Sequence, residues 1–130
     1  MVITTLYAIP LAILSFILWM SVTKTRAATQ VSIGSGGDTA LHERIRRHGN
    51  FAESVPLVLI LMGLAETGGA GALWLHMAGA LLLLGRLLHP LGLKADNPAH
   101  PLRIAGNSLP LLATVILLAL LVSQSLAALA

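Results

Sequence analysis

A long run without a single charged side chain, from Val2 to Val22, is the feature that most constrains this chain. A helix needs about 20 apolar residues to cross the hydrocarbon core of a bilayer, so this run predicts a membrane span. No basic segment precedes it, and Lys24 and Arg26 follow it. We therefore expect an uncleaved anchor and not a cleaved signal peptide.

Three further apolar segments follow, at about 39–65, 71–91 and 102–128, and the polar segments 24–38 and 92–101 read as loops. Only 10% of the 130 residues are charged, whereas a soluble domain usually carries about 25%. The sequence therefore predicts an all-α membrane protein, a bundle of four transmembrane helices with spans at about 2–22, 39–65, 71–91 and 102–128. We expect residues 1–130 to form a single domain.

The basic residues predict the orientation. All eight lie in or beside the two polar loops: Lys24, Arg26, Arg44, Arg46, Arg47, Arg86, Lys94 and Arg103. These loops share one side of a four-span bundle, and loops rich in Lys and Arg stay in the cytoplasm. We expect loops 24–38 and 92–101 to be cytoplasmic and both termini to lie outside.

A polar stripe on the second span carries most of the functional information. Arg46, Asn50 and Glu53 are spaced by four and then three residues, which places them on one helical face. A carboxylate within a membrane is costly and needs a partner, and such residues often mark function. Arg86 on the third span is the expected partner of Glu53. An ion pair that only fixes helix packing is the alternative reading.

The chemistry of the stripe suits a small, extended zwitterion. Arginine holds carboxylates by two-point contacts, whereas an amide and a carboxylate can receive N–H groups. A charged peptide such as glutathione carries all of these groups. The chain contains no Cys, so any thiol chemistry must use a thiol brought by the ligand. The histidines do not have a metal-ligand spacing, and no metal site is expected.

The same residues carry a family resemblance. The run Arg46-x-His48-Gly49-Asn50-x-x-Glu53-x-x-Pro56, followed by Gly85-Arg86-Leu87-x-His89, resembles the MAPEG family of membrane-associated proteins in eicosanoid and glutathione metabolism, in particular its small bacterial members. The resemblance implies a homotrimer in a bacterial inner membrane, with a site for glutathione, the expected co-substrate, at each subunit interface. Its implied partners are its own copies, membrane lipids and a lipophilic small-molecule substrate, with no nucleic acid.

The resemblance also implies roles for individual residues. The glutathione-binding residues would be Arg46, His48, Asn50, Glu53, Arg86 and His89. Arg103, near the start of the fourth span, matches the arginine that activates the thiol in enzymatic members and is the candidate catalytic residue. Several members carry tyrosines where this chain has Ser54, His89 and Leu93, and its only tyrosine is Tyr7.

Three functions remain open at this point. The first is a glutathione transferase or peroxidase that acts on lipophilic electrophiles or hydroperoxides. The second, favoured by the missing tyrosines, is a binding or scaffold protein of the same fold without catalysis. The third is a small transporter, but such proteins usually need an ionisable residue in the first span, and Val2–Val22 has none.

Overall fold

Four helices and no strand make up the fold. The computed structural model describes all 130 residues. The helices are α1 (Val2–Thr29), α2 (Thr39–Thr67), α3 (Ala72–Gly92) and α4 (Pro101–Leu129). Each is long and apolar enough to cross a membrane. The predicted all-α architecture with four candidate spans is thereby confirmed.

The first polar loop is shorter than the sequence suggested, since α1 continues to Thr29 and the loop begins at Gln30. Counting apolar residues locates the part of a helix that lies in hydrocarbon, but polar residues can continue the helix beyond it. Arg26 accounts for the end of this helix, because its Nη1 donates to the carbonyls of Val31, Ser32 and Gly34. Lys24 and Arg26 are therefore helical residues and not loop residues.

Single residues account for the start of α2 and for the turn that follows it. Asp38 caps α2 by accepting a hydrogen bond from the Leu41 amide at 2.8 Å, as aspartate commonly does at the start of a helix. The turn between α2 and α3 contains Gly69 at a φ of 84°, a conformation that glycine adopts without a steric penalty.

Helices α2 and α3 occupy the middle of the bundle. Each of them contacts all three other helices, whereas α1 and α4 do not contact each other. The apolar core lies among the helices and includes Phe51, Met62, Leu75, Leu82 and Leu117. We call the end of the bundle that carries the eight basic residues the basic end, and the opposite one the far end.

Glycines bring α3 and α4 into backbone contact. A Cβ placed on Gly106 would lie only 2.6 Å from the Cα and Cβ of His89, and one placed on Gly92 would lie 2.3 Å from the amide nitrogen of Arg103. Membrane helices that have no hydrophobic driving force between them use small residues to pack this closely. The backbone of the third helix is thereby held against the start of the fourth, where Arg103 lies.

Polar contacts join α1 to α2 at both ends. At the far end, the Glu66 carboxylate accepts from the amides of Ile3 and Thr4 at 2.9 and 2.8 Å, and from the Thr4 hydroxyl at 2.6 Å. It thereby satisfies amides that have no partner within the first turn of a helix. At the basic end, Arg44 donates to the Ser21 hydroxyl at 2.5 Å.

Candidate functional site

Two adjoining cavities open beside the polar stripe of α2. The outer cavity, nearer the basic end, has a volume of about 390 Å³ and the inner one about 280 Å³. The outer cavity is lined by His42, Glu43, Arg46, Asn50, His89, Leu93, Lys94, Ala95, Arg103 and Asn107. The inner cavity is lined by Asn50, Glu53, Ser54, Val58, Arg86, Asn107, Pro110, Leu111 and Thr114. Asn50 and Asn107 line both, so the two form one groove between α2 and α4 with its floor on α3.

The groove collects all but one of the predicted site residues. Arg46, His89 and Arg103 line the outer cavity, Glu53 and Arg86 line the inner cavity, and Asn50 lines both. His48 lines neither cavity. Spacing along α2 therefore predicts the residues of this face well, while His48 lies outside the groove in a single chain.

The groove carries an excess of positive charge. Its cations are Arg46, Arg86, Lys94 and Arg103, and its carboxylates are Glu43 and Glu53. Arg103 is half-buried, and its guanidinium forms no ion pair in the chain. An unpaired cation beside an open cavity is suited to binding an anion.

Glu53 and Arg86 line the same cavity, but the predicted ion pair between them is wrong. The nearest cation to Glu53 is Arg46, with 3.7 Å between Oε1 and Nη1, and both side chains are largely exposed, at 63% and 47%. Arg86, in contrast, is only 4% exposed. The prediction rested on opposite charge at a similar depth in the two helices, whereas the buried guanidinium is held by backbone carbonyls.

Arg86 connects three helices through these carbonyls. From α3, it donates to the carbonyl of Asn50 on α2 at 3.1 Å and to that of Gly106 on α4 at 2.7 Å. The Gly106 carbonyl is available because the residue four positions later is Pro110, inside α4, and proline has no N–H to donate. The Nε of Arg86 is buried and has no hydrogen-bond partner.

The loop between α3 and α4, residues 93–100, is called the 3–4 loop. Hydrogen bonds of Glu43 and Arg47, together called the latch, hold this loop over the outer cavity. Glu43 accepts from the Ala95 amide at 2.8 Å and from Arg47 at 2.9 Å. Arg47 also donates to the Leu93 carbonyl at 2.8 Å. Arg47 is thus an internal connection between α2 and the loop. Leu93 and Ala95 are themselves part of the cavity wall.

This latch predicts a local change in dynamics. In Glu43→Ala the Ala95 amide loses its acceptor and Arg47 loses its counter-ion, so we expect the amide hydrogens of residues 93–95 to exchange about 10- to 100-fold faster, as for the loss of a hydrogen bond to a charged group. Hydrogen–deuterium exchange of the detergent-solubilised protein measures this. His42→Ala is the matched control, since His42 also lines the outer cavity and should leave that exchange unchanged. Equal exchange in both variants would contradict the latch.

Sequence reasoning missed Asn107. It follows Arg103 by one helical turn and lines both cavities. The spacing of four residues between Arg103 and Asn107 was a usable signal, because it repeats on α4 the spacing of Arg46 and Asn50 on α2. Two stripes, each with an arginine followed by an asparagine, thus face the groove from α2 and α4.

Comparisons with a family model and with individual proteins assign the chain to the same family that its motifs resemble. The family model described as "MAPEG family" matches residues 4–123. The chain is 37% identical over 90 residues, which are 69% of this chain and 69% of the relative, to the inner membrane protein YecN of Escherichia coli K12 and to its counterpart in the O6:H1 strain. No solved structure matches the chain significantly.

Proposed function

Because the chain belongs to the MAPEG family, as its sequence motifs predict, we propose that it is an inner-membrane protein that binds glutathione in the groove between α2 and α4. The observation that carries the proposal is the unpaired Arg103 guanidinium in the cavity that Arg46 and Asn50 also line. The family relation and the name of the relative, an inner membrane protein, support the location. The groove lies at the basic end, which we place in the cytoplasm, with both termini outside.

The dimensions and charges of the groove support a small anionic peptide as its ligand. Cavities of about 390 and 280 Å³ fall within or near the size range of small-molecule sites, roughly 300–1,000 Å³. The carboxylates of glutathione would be held by Arg46 and Lys94, and its amides by Asn50 and Asn107. The Glu53 carboxylate can accept from its ammonium group.

Arg103 would then act on the thiol. A cation beside a thiol lowers the pKa of that thiol from about 8.5 and raises the thiolate fraction at neutral pH. In a transferase reaction, the thiolate sulfur attacks an electrophilic carbon, the C–S bond forms, and the leaving group departs with the bonding electrons. The thiol proton passes to water or to the leaving group. An apolar electrophile would reach the sulfur from the bilayer. A hydroperoxide would instead be reduced by two glutathione molecules to an alcohol and water, with formation of oxidised glutathione.

The exposed stripe supports assembly into a homotrimer. In a single chain, the Glu53 side chain is 63% exposed on a face that lies within the membrane, and a carboxylate facing lipid costs a few kcal/mol. Neighbouring copies that cover this face would remove the cost and enclose the groove. His48, which lies outside the groove of its own chain, would then be available to a neighbouring copy. The mass of the protein in detergent micelles distinguishes three copies from one.

The test measures thiolate formation and turnover separately. We expect purified protein to develop an ultraviolet thiolate absorbance when it binds glutathione. In Arg46→Ala the affinity should fall by about 10- to 100-fold, as for the loss of one charge-assisted hydrogen bond. In Arg103→Ala the thiolate signal should disappear, and turnover of an aryl halide or hydroperoxide should fall on the order of 10- to 100-fold as the thiol pKa returns toward its usual value.

Tyr7→Phe is the control for this test. Tyr7 lies at the far end, where its hydroxyl contacts Nδ1 of His76 at 3.1 Å, and its loss should change neither signal. If wild-type protein produces no thiolate absorbance and Arg46→Ala binds glutathione unchanged, the proposal fails.

A second candidate is a glutathione-binding protein without turnover. The observation that favours it is the lack of any tyrosine at the groove, where the nearby positions hold Ser54, His89 and Leu93. It predicts that glutathione raises the thermal stability of the protein while no aryl halide or hydroperoxide is consumed. Turnover that is lost in Arg103→Ala excludes it.

A further inference from the structure

A third cavity lies away from the glutathione groove, between α1 and α2 at the basic end. Its volume is about 460 Å³, and its walls are divided by polarity. Phe16, Ile17 and Met20 form an apolar wall, and Ser21, Lys24 and Arg44 form a polar one. Because residues 16 to 24 lie on one helix in this order, the apolar wall lies deeper in the membrane and the cations lie at its edge.

Arg44 is held in place by a hydrogen bond, Lys24 is exposed, and neither cation is neutralised by a carboxylate. One Nη of Arg44 donates to the Ser21 hydroxyl at 2.5 Å, which fixes the guanidinium against α1 and leaves other donors of its fork free. Neither Arg44 nor Lys24 forms an ion pair in the chain. Two unpaired cations above an apolar wall, one of them fixed against α1, are complementary to an anion that carries a hydrocarbon chain.

The chain itself has few anions to offer them. Asp38 and Glu66 cap helices, and Glu43 accepts hydrogen bonds from Arg47 and the Ala95 amide. Of the other two carboxylates, Glu53 lies near Arg46 in the groove between α2 and α4, and Asp96 lies in the 3–4 loop. The adjacent membrane leaflet is therefore a richer source of negative charge than a second copy.

The geometry points to a binding site for one anionic phospholipid, with its phosphate on Lys24 and Arg44 and an acyl chain along Phe16, Ile17 and Met20. Clusters of basic residues at the membrane edge attract anionic headgroups. Trp19 lies next to this wall, is 48% exposed, and has its ring centroid 5.7 Å from that of Phe16. Tryptophan is typical of the headgroup level. The site is independent of glutathione binding.

Native mass spectrometry of the delipidated protein in detergent tests the proposal. We expect phosphatidylglycerol to bind more tightly than phosphatidylcholine of the same chain length. Lys24→Gln and Arg44→Gln should each weaken phosphatidylglycerol binding about fivefold, the value for one surface cation near an anionic leaflet. Both variants should weaken phosphatidylcholine binding less, because its choline group offsets the charge of the phosphate.

Two controls separate the site from general charge and from loss of the lysine side chain itself. Lys94→Gln removes the same charge from the same end but outside this cavity, and Lys24→Arg keeps the positive charge within it. Both should bind phosphatidylglycerol within about twofold of wild type. If Lys94→Gln weakens binding as much as Lys24→Gln, or if inorganic phosphate displaces the lipid at equal concentration, the proposal is wrong.

Discussion

Replacing Gly106 by alanine is expected to destabilise the protein by about 1–3 kcal/mol, the usual cost of overpacking a closely packed interior. The new Cβ would lie 2.6 Å from the Cα and Cβ of His89 and 2.7 Å from its amide nitrogen. These neighbours belong to or adjoin the backbone, so a rotamer change cannot relieve the clash and α3 must move away from α4. The midpoint of thermal unfolding in detergent measures the effect.

Gly49→Ala is the matched control for this substitution. A Cβ on Gly49 would lie 3.7 Å from Oε1 of Glu53 and 3.8 Å from Nη1 of Arg46, which are ordinary contacts. Alanine favours a helix over glycine by about 1 kcal/mol, so Gly49→Ala should leave the midpoint unchanged or raise it. Equal midpoints for the two variants would mean that α3 and α4 are not in the backbone contact described here.

Replacing Arg86 by leucine is expected to cost about 3 kcal/mol or more, because two hydrogen bonds from a charged group, each worth about 1.5–3 kcal/mol, are lost. The larger loss is at the Gly106 carbonyl, which is left without its arginine donor while Pro110 offers it no N–H within α4. Leucine retains much of the buried apolar stem of the side chain. The free energy of unfolding, or the thermal midpoint where unfolding is irreversible, measures the loss.

Pro110→Ala supplies the missing donor and makes the prediction specific. The backbone N–H that alanine introduces at this position can bond to the Gly106 carbonyl, as in any regular turn of an α-helix. Arg86→Leu should therefore cost less in the Pro110→Ala background than in the wild type, with a coupling of about 0.5–3 kcal/mol. An equal cost in both backgrounds would show that the Gly106 carbonyl does not explain why an arginine is buried here.

The helices and the functional face could be predicted because both depend on periodicity within one segment. The charge-free run Val2–Val22 defines a span by length alone, and the spacing of Arg46, Asn50 and Glu53 defines a helical face. The groove contains that face. Whether glutathione occupies it stays a prediction.

The contacts between helices could not be predicted in the same way. The pairing of Glu53 with Arg86 was inferred from opposite charge, but helix rotation decides which groups meet, and Arg86 meets carbonyl oxygens instead. The latch of Glu43 and Arg47 depends on the path of the 3–4 loop, which no periodicity describes. The position of Pro110 did contain a signal, because a proline within a helix always leaves the carbonyl four residues earlier without its usual donor.

The pair of polar attachments between α1 and α2 has a mechanical consequence. Apolar side chains alone would let two membrane helices slide along each other, since one apolar contact replaces another at little cost in free energy. Glu66 at one extremity and Arg44 at the other both resist such a piston movement, because a shift of a single residue would break directional bonds at two heights at once. The position of α1 along its axis is therefore fixed relative to α2, and α2 sets the depth of α1 in the bilayer.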